Sequence, residues 1–281
     1  MSQTPRPTRS EQRELARAKA RDLREKRAKG DKRKRLIVAS SVTLGIVAVV
    51  AGVIWVIFTF SATENTNKDN AGKVPANVTE FGGVLIGKDL LPATEAQAKA
   101  SNRIVIYQDY QCPICKLFEE PNTTQIRTWV NSGLATIEYH SISFLDGASL
   151  NGYSSRAANA AFCVANSQPE KYFDANTLLY ATQPDENTAG PSDSDLKDTL
   201  KAAGVEITSE ISECVDQKRY GKYIEKKTNE ALSQPAVTGT EIPSGTPYVL
   251  VNGQKYDGGG SLANLSNPGL FAQFFTTHQN K

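Results

Sequence analysis

Histidine is almost missing from this 281-residue chain: His140 and His278 stand far apart in sequence with no acidic partner beside them, which leaves little for a histidine-based metal site. No glycine-rich phosphate loop opens a helix. The one glycine run, Gly258 to Gly260, follows a short hairpin strand instead, so no nucleotide cofactor is implied, and the expected cofactor set is none. Residues 1–35 hold 14 Lys/Arg against 5 Asp/Glu but no aromatic side chain, so a nucleic-acid reading lacks rings for bases to stack on. From Leu36 to Phe60 there is no charged residue at all. Cysteine is limited to four, at positions 112, 115, 163 and 214.

The uncharged run of 25 residues is long enough to cross a hydrocarbon core at helical rise. Arg33, Lys34 and Arg35 close its near end, and Trp55, Phe58 and Phe60 lie toward the far one. Charge bias then places residues 1–35 as a cytoplasmic tail, 36–60 as a single transmembrane helix and the rest outside the cell membrane. A cleaved signal peptide is the competing reading, yet its apolar stretch spans only about 7–15 residues behind a short basic segment. Cysteines on the external side fit an oxidising compartment.

Residues 61–80 are rich in Asn, Thr and Ala and read as a flexible linker. A folded unit is expected over 81–281. Val84-Leu85-Ile86 is a short apolar run, and Arg103 to Tyr107 a denser one that reads as a buried strand. Next come a helix from Pro113 to about Val130, and a strand from Ala135 to Phe144. A helical stretch of about 146–235 follows, with segments near Ser155, Tyr172–Ala181, Ser194–Ala203 and Ser209 to about Leu232. Then Tyr248–Val251, an Asn252-Gly253 turn and Gln254–Tyr256 form a hairpin, and Leu265 to His278 a last helix.

Cys112 and Cys115 form C-x-x-C at the start of a helix. Disulfide exchange needs a thiolate, and two thiols within one turn let a mixed disulfide resolve inside the same molecule. A helix N-terminus offers free N–H groups and the positive end of the dipole, both of which lower the first cysteine's pKa. Lys116 adds a favourable charge if it points that way. Half of a zinc site is the rival reading of the motif, but no second ligand pair stands at suitable spacing, and no metal is expected. Thr246-Pro247 precedes a hydrophobic strand, and an X-Pro bond there is open to the cis form at modest cost; Pro243 is the weaker candidate, and a plain strand-initiating proline is the alternative.

Cys163 and Cys214 fall on two helices of the insert, with no other titratable thiol nearby. They are expected to form a structural disulfide, with two buried free thiols as the alternative. Closing a loop of about 50 residues contributes on the order of 4 kcal/mol in the chain-entropy estimate.

The segments YQDYQCPIC-KLFEE and GTPYVLVNG, separated by a long helical insert, resemble the DsbA-like thioredoxin superfamily from about Phe81 to the C-terminus. The resemblance implies an α/β thioredoxin-like fold with an inserted α-helical domain, a cis proline at Pro247 and oxidation of exported proteins. The tether and basic tail are similar to membrane-anchored members found in actinobacteria. Two positions depart from the family pattern: Ile114 stands where well-known members carry histidine between Pro113 and Cys115, and Ile106 where many carry a buried acid. Asp109, Glu119 and Glu120 are candidate substitutes for that acid, each more simply read as a surface charge.

The leading expectation is a monomeric thiol:disulfide oxidoreductase that donates disulfides to unfolded secreted clients and is reoxidised by a DsbB-like or VKOR-like membrane partner. A reductase or isomerase on the same fold is the alternative. A non-catalytic envelope chaperone or adaptor is a third reading, which has no need to keep Cys112, Cys115 and Pro247 together.

Overall fold

The computed structural model describes residues 72–280. The tail, the expected membrane span and the first part of the linker lie outside them. Among the described residues no helix is long and apolar enough to cross a membrane.

Five strands form one sheet in the order β1-β3-β2-β4-β5: β1 is Val84–Ile86, β2 Asn102–Gln108, β3 Ala135–Ser141, β4 Tyr248–Val251 and β5 Gln254–Tyr256. β2 and β3 are parallel and every other pairing is antiparallel. Both parallel strands are buried along their whole length, as the near-continuous apolar run of a strand covered on two faces requires.

Alternate residues of β2 serve two different cores, because successive side chains leave a strand on opposite faces. Ile104 and Ile106 join Ile137, Tyr139, Val249 and Val251 in the larger core. Val105 and Tyr107 join Tyr248 and Leu250 in a smaller one under Ala236 and Val237.

On the larger core lies α2 (Pro113–Asn131), whose Phe118, Ile126 and Val130 are buried. It follows β2 and the short helix α1 (Glu95–Ala100). Between β3 and β4 the chain adds α3 (Tyr153–Ser167), α4 (Tyr172–Ala181), α5 (Asp193–Ala202), α6 (Ser209–Asp216) and α7 (Gly221–Ala231). The alanines of α3 are fully buried, which lets its neighbours approach closely. The C-terminal α8 (Leu262–Leu265) and α9 (Pro268–Thr277) close the same side as α2, where Phe271 meets Phe118 at 5.1 Å and Phe275 stacks on Trp129 at 4.0 Å.

Four segments differ from the sequence reading, each for a local reason. The helix expected from Ser209 to Leu232 is two helices: Lys218 adopts φ 49°, and the bonds Arg219 N to Cys214 O and Lys218 N to Val215 O close α6 as a Schellman turn. The last helix is likewise divided, because Asn267 caps a new start through Gly269 N and Leu270 N ahead of Pro268. β3 ends at Ser141 rather than Phe144, since Ser143 N turns away to the Thr228 hydroxyl. Residues 76–80, expected within the linker, are docked. Ala76 N bonds Asn166 Oδ1 (3.0 Å), Asn77 Nδ2 bonds Ala165 O (3.0 Å), the Thr79 hydroxyl bonds Glu138 (2.7 Å), and Val78 bridges Val84.

Candidate active site

β2 ends at Gln108, and the turn Asp109–Gln111 delivers Cys112 to the N-cap of α2, with Pro113 in the first helical position. The first N–H groups of the helix turn to the Cys112 carbonyl: Cys115 N and Lys116 N donate to Cys112 O at 3.1 and 3.3 Å. Cys112 and Cys115 are both free thiols, and both are buried. The Thr246-Pro247 bond is cis, and Cys112 Sγ lies 3.3 Å from the Thr246 carbonyl. Residues 134 positions apart therefore meet at one sulfur.

This setting separates the two thiols. Cys112 is lowered from its ordinary value near 9 to about 6: the Cys115 thiol donates to it, the Thr246 side chain and the N–H groups of Cys115 and Ile114 add to this, and burial only partly opposes them. Cys115 is pushed well above the ordinary thiol value by burial and by the anion beside it. One thiolate and one thiol at neutral pH is the state a dithiol needs for exchange.

A thioredoxin family model matches residues 96–267. The chain belongs to the thioredoxin family. Within that family it is DsbA-like, as solved structures indicate. The reduced disulfide-bond oxidoreductase DsbG of Mycobacterium tuberculosis is 26% identical, with a TM-score of 0.56 over 72% of this chain and 89% of that one. Reduced DsbA of the same bacterium is 25% identical, with a TM-score of 0.51 over 68% and 98%. MdbA of Actinomyces oris, a thiol-disulfide oxidoreductase, is 20% identical and shares the fold, with a TM-score of 0.56 over 77% of this chain and 98% of that one. The serine/threonine-protein kinase PknE of M. tuberculosis is 29% identical over 196 residues, which are 68% of this chain and 31% of that protein. The chain thus spans less than a third of the length of the curated relatives it matches.

The family's usual buried acid is absent at Ile106, and two carboxyls flank the DsbA-like site from other positions. Asp109 is fully buried, not a surface charge: its carboxyl accepts from Gln111 N (2.8 Å), Leu145 N (3.0 Å) and the Ser154 hydroxyl. Burial pushes it up to about 7 against those bonds. Glu119, one turn beyond Cys115, is also buried and raised to about 7 by desolvation. Its Oε1 accepts from Asn176 (3.0 Å) while Oε2 has no partner. Glu120 is the exposed one, paired with Lys116 at 3.5 Å. Lys116 also reaches Ala181 O at 3.5 Å, so its charge is spent away from Cys112.

Other expected residues fall elsewhere. Cys163 on α3 and Cys214 on α6 are joined by a disulfide with Cα atoms 5.9 Å apart, inside the insert. Ile114 packs partly buried against the larger core. His140 has an acidic neighbour after all: Glu138, two residues before it on the same strand face, places Oε1 3.0 Å from Nε2. Burial pushes Glu138 up, yet His140 and Arg103 outweigh it and hold the carboxyl at about 2. Sequence reading missed Gln108, Tyr110, Asn176 and Gln183, the polar side chains that tie the reactive turn to the insert. Only the i, i+2 spacing of Glu138 and His140 carried a legible signal.

Proposed function

We propose that this protein is an extracytoplasmic thiol:disulfide oxidoreductase that introduces disulfides into exported proteins through Cys112-Pro113-Ile114-Cys115. The observation that carries the proposal is the free Cys112–Cys115 pair at the N-terminus of α2, with Cys112 Sγ 3.3 Å from the Thr246 carbonyl of the cis-proline loop and its pKa lowered to about 6 chiefly by the Cys115 thiol. Stabilising the reduced form makes the disulfide form the stronger oxidant.

In the oxidised protein, a client thiolate attacks Cys112 Sγ; the Cys112–Cys115 bond breaks and its electron pair leaves on Cys115, which takes a proton. A second client thiolate then attacks the client sulfur of the mixed disulfide and expels Cys112 as a thiolate, a good leaving group because of its low pKa. The client gains one disulfide and the protein holds its two electrons. Glu119 shares a helix face with Cys115 and, with Asp109, is near neutral in affinity for protons, so both are placed to serve the proton steps.

Reoxidation is assigned to a DsbB-like or VKOR-like membrane protein. The uncharged run Leu36–Phe60 behind a basic tail supports a single-pass anchor with residues 1–35 in the cytoplasm, and the enzyme acts as a monomer.

The test is the reduction potential of the full chain, equilibrated in glutathione buffers and read by trapping Cys112. A value of about −120 to −180 mV supports disulfide donation; one near about −270 mV overturns it in favour of a reductase.

A further inference from the structure

The helical insert grips the turn that carries Cys112. The Gln183 amide nitrogen donates to Tyr110 O at 2.7 Å and to Cys112 O at 2.9 Å, which uses both of its N–H bonds. Gln183 follows the last turn of α4, and its own N–H is fixed on Tyr180 O at 3.1 Å. Around it the Tyr180 hydroxyl donates to Asp109 O at 3.3 Å, and Gln111 Nε2 donates to Pro184 O at 3.0 Å. Residues 180–184 of the insert thus hold residues 109–112 by backbone and side chain alike.

One of these bonds bears directly on the sulfur. Cys112 is the N-cap, with φ −73° and ψ 115°, and rotation about ψ swings its carbonyl relative to its side chain. That carbonyl also takes the N–H groups of Cys115 at 3.1 Å and Lys116 at 3.3 Å, so Gln183 joins the first turn of α2 to the insert and holds Sγ where it meets Thr246 O at 3.3 Å. Ile114 has no donor on its side chain, so the thiolate depends chiefly on the Cys115 thiol, which donates to it.

We propose that Gln183, a residue of the insert, is a positioning residue for the redox reaction: by bridging the Tyr110 and Cys112 carbonyls it keeps Sγ placed beside Cys115 and against the Thr246 carbonyl. The proposal rests on the reading of Cys112 as the exchanging thiolate. The titratable groups facing Cys112 are Cys115 on α2, Asp109 in the preceding turn and Tyr180 on α4, while Lys116 on α2 is turned to Glu120 and Ala181 O. No substitution at Gln183 removes any of them.

The experiment is the rate of Cys112 alkylation by iodoacetamide against pH in the reduced full chain. Gln183→Met keeps the length and loses the donor. The expected result is an upward shift of the midpoint, with the rate at pH 5.5 falling about fivefold and the rate at pH 9 staying within about twofold of wild type. Gln183→Glu, which sets an acceptor against two carbonyls, shifts the midpoint further. Thr182→Val is the control: its hydroxyl bonds Leu178 O, at 2.9 Å, on the same helix end, so it lowers the melting temperature and leaves the midpoint in place. A Gln183→Met protein that melts lower but keeps the wild-type midpoint overturns the proposal and makes Gln183 merely structural. A wild-type midpoint in the ordinary thiol range instead overturns the thiolate reading beneath it.

Discussion

The two cysteine pairs differ little in exposure and greatly in chemistry. Cys112 and Cys115 are 5% and 2% exposed, Cys163 and Cys214 0% and 2%, so burial does not decide which pair reacts. Cys163 and Cys214 face each other across two helices that the rest of the insert holds in place, and the Asn159 side chain ties the same helices through Cys214 O and Tyr220 N. Cys112 sits where a helix begins, with the Cys115 thiol and a foreign carbonyl beside its sulfur. A cysteine becomes reactive through the donors aimed at it, and becomes structural through the rigidity of what it joins.

The comparison breaks most sharply under substitution. Cys112→Ala should abolish oxidation of a dithiol peptide, a loss of at least about a thousandfold, with the melting curve little changed. Replacing Cys163 and Cys214 together by alanine should do the reverse: a loss of about 2–4 kcal/mol in denaturant unfolding, with exchange rates within about threefold of wild type. Equal loss of exchange in both variants would dissolve the distinction.

A smaller effect concerns the carboxyl under the reactive pair. Glu119 has a folded-state pKa raised to about 7, so its charged form is disfavoured on folding; stability is full below the unfolded carboxyl range and is lost as pH rises through about 7. Glu119→Gln should therefore be more stable than wild type by up to about 2 kcal/mol at pH 8 and nearly equal to it at pH 4, as read by chemical denaturation. The smallest effect is expected at Lys116. Because its ammonium is directed to Glu120 and Ala181 O, Lys116→Met should change the alkylation rate of Cys112 at pH 6 by less than about twofold.

The reactive pair, the proline before β4 and the order of strands and helices were legible because each rests on neighbours in sequence: a C-x-x-C at a helix start, a Thr-Pro before an apolar run, a dense apolar run in β2. The divided helices were less so, since the left-handed Lys218 has no glycine to announce it. Asp109 and Glu119 were misread as surface charges. What buries them comes from 36 to 57 residues away, in Leu145, Ser154 and Asn176, and no local pattern reports that distance. Gln183 gave no signal for the same reason: its two acceptors are backbone carbonyls more than 70 residues earlier.

The docked segment before β1 decides where this protein should be cut. A fragment begun at Phe81 would discard Val78, the bridging partner of Val84, and the Thr79 hydroxyl that Glu138 accepts from beside Arg103. It would also strip Asn166 and Ala165 at the end of α3 of the two donors that Ala76 and Asn77 supply. A fragment begun at Gly72 retains all of them, and with them the seam between sheet and insert that an expression boundary drawn from composition alone would slice through.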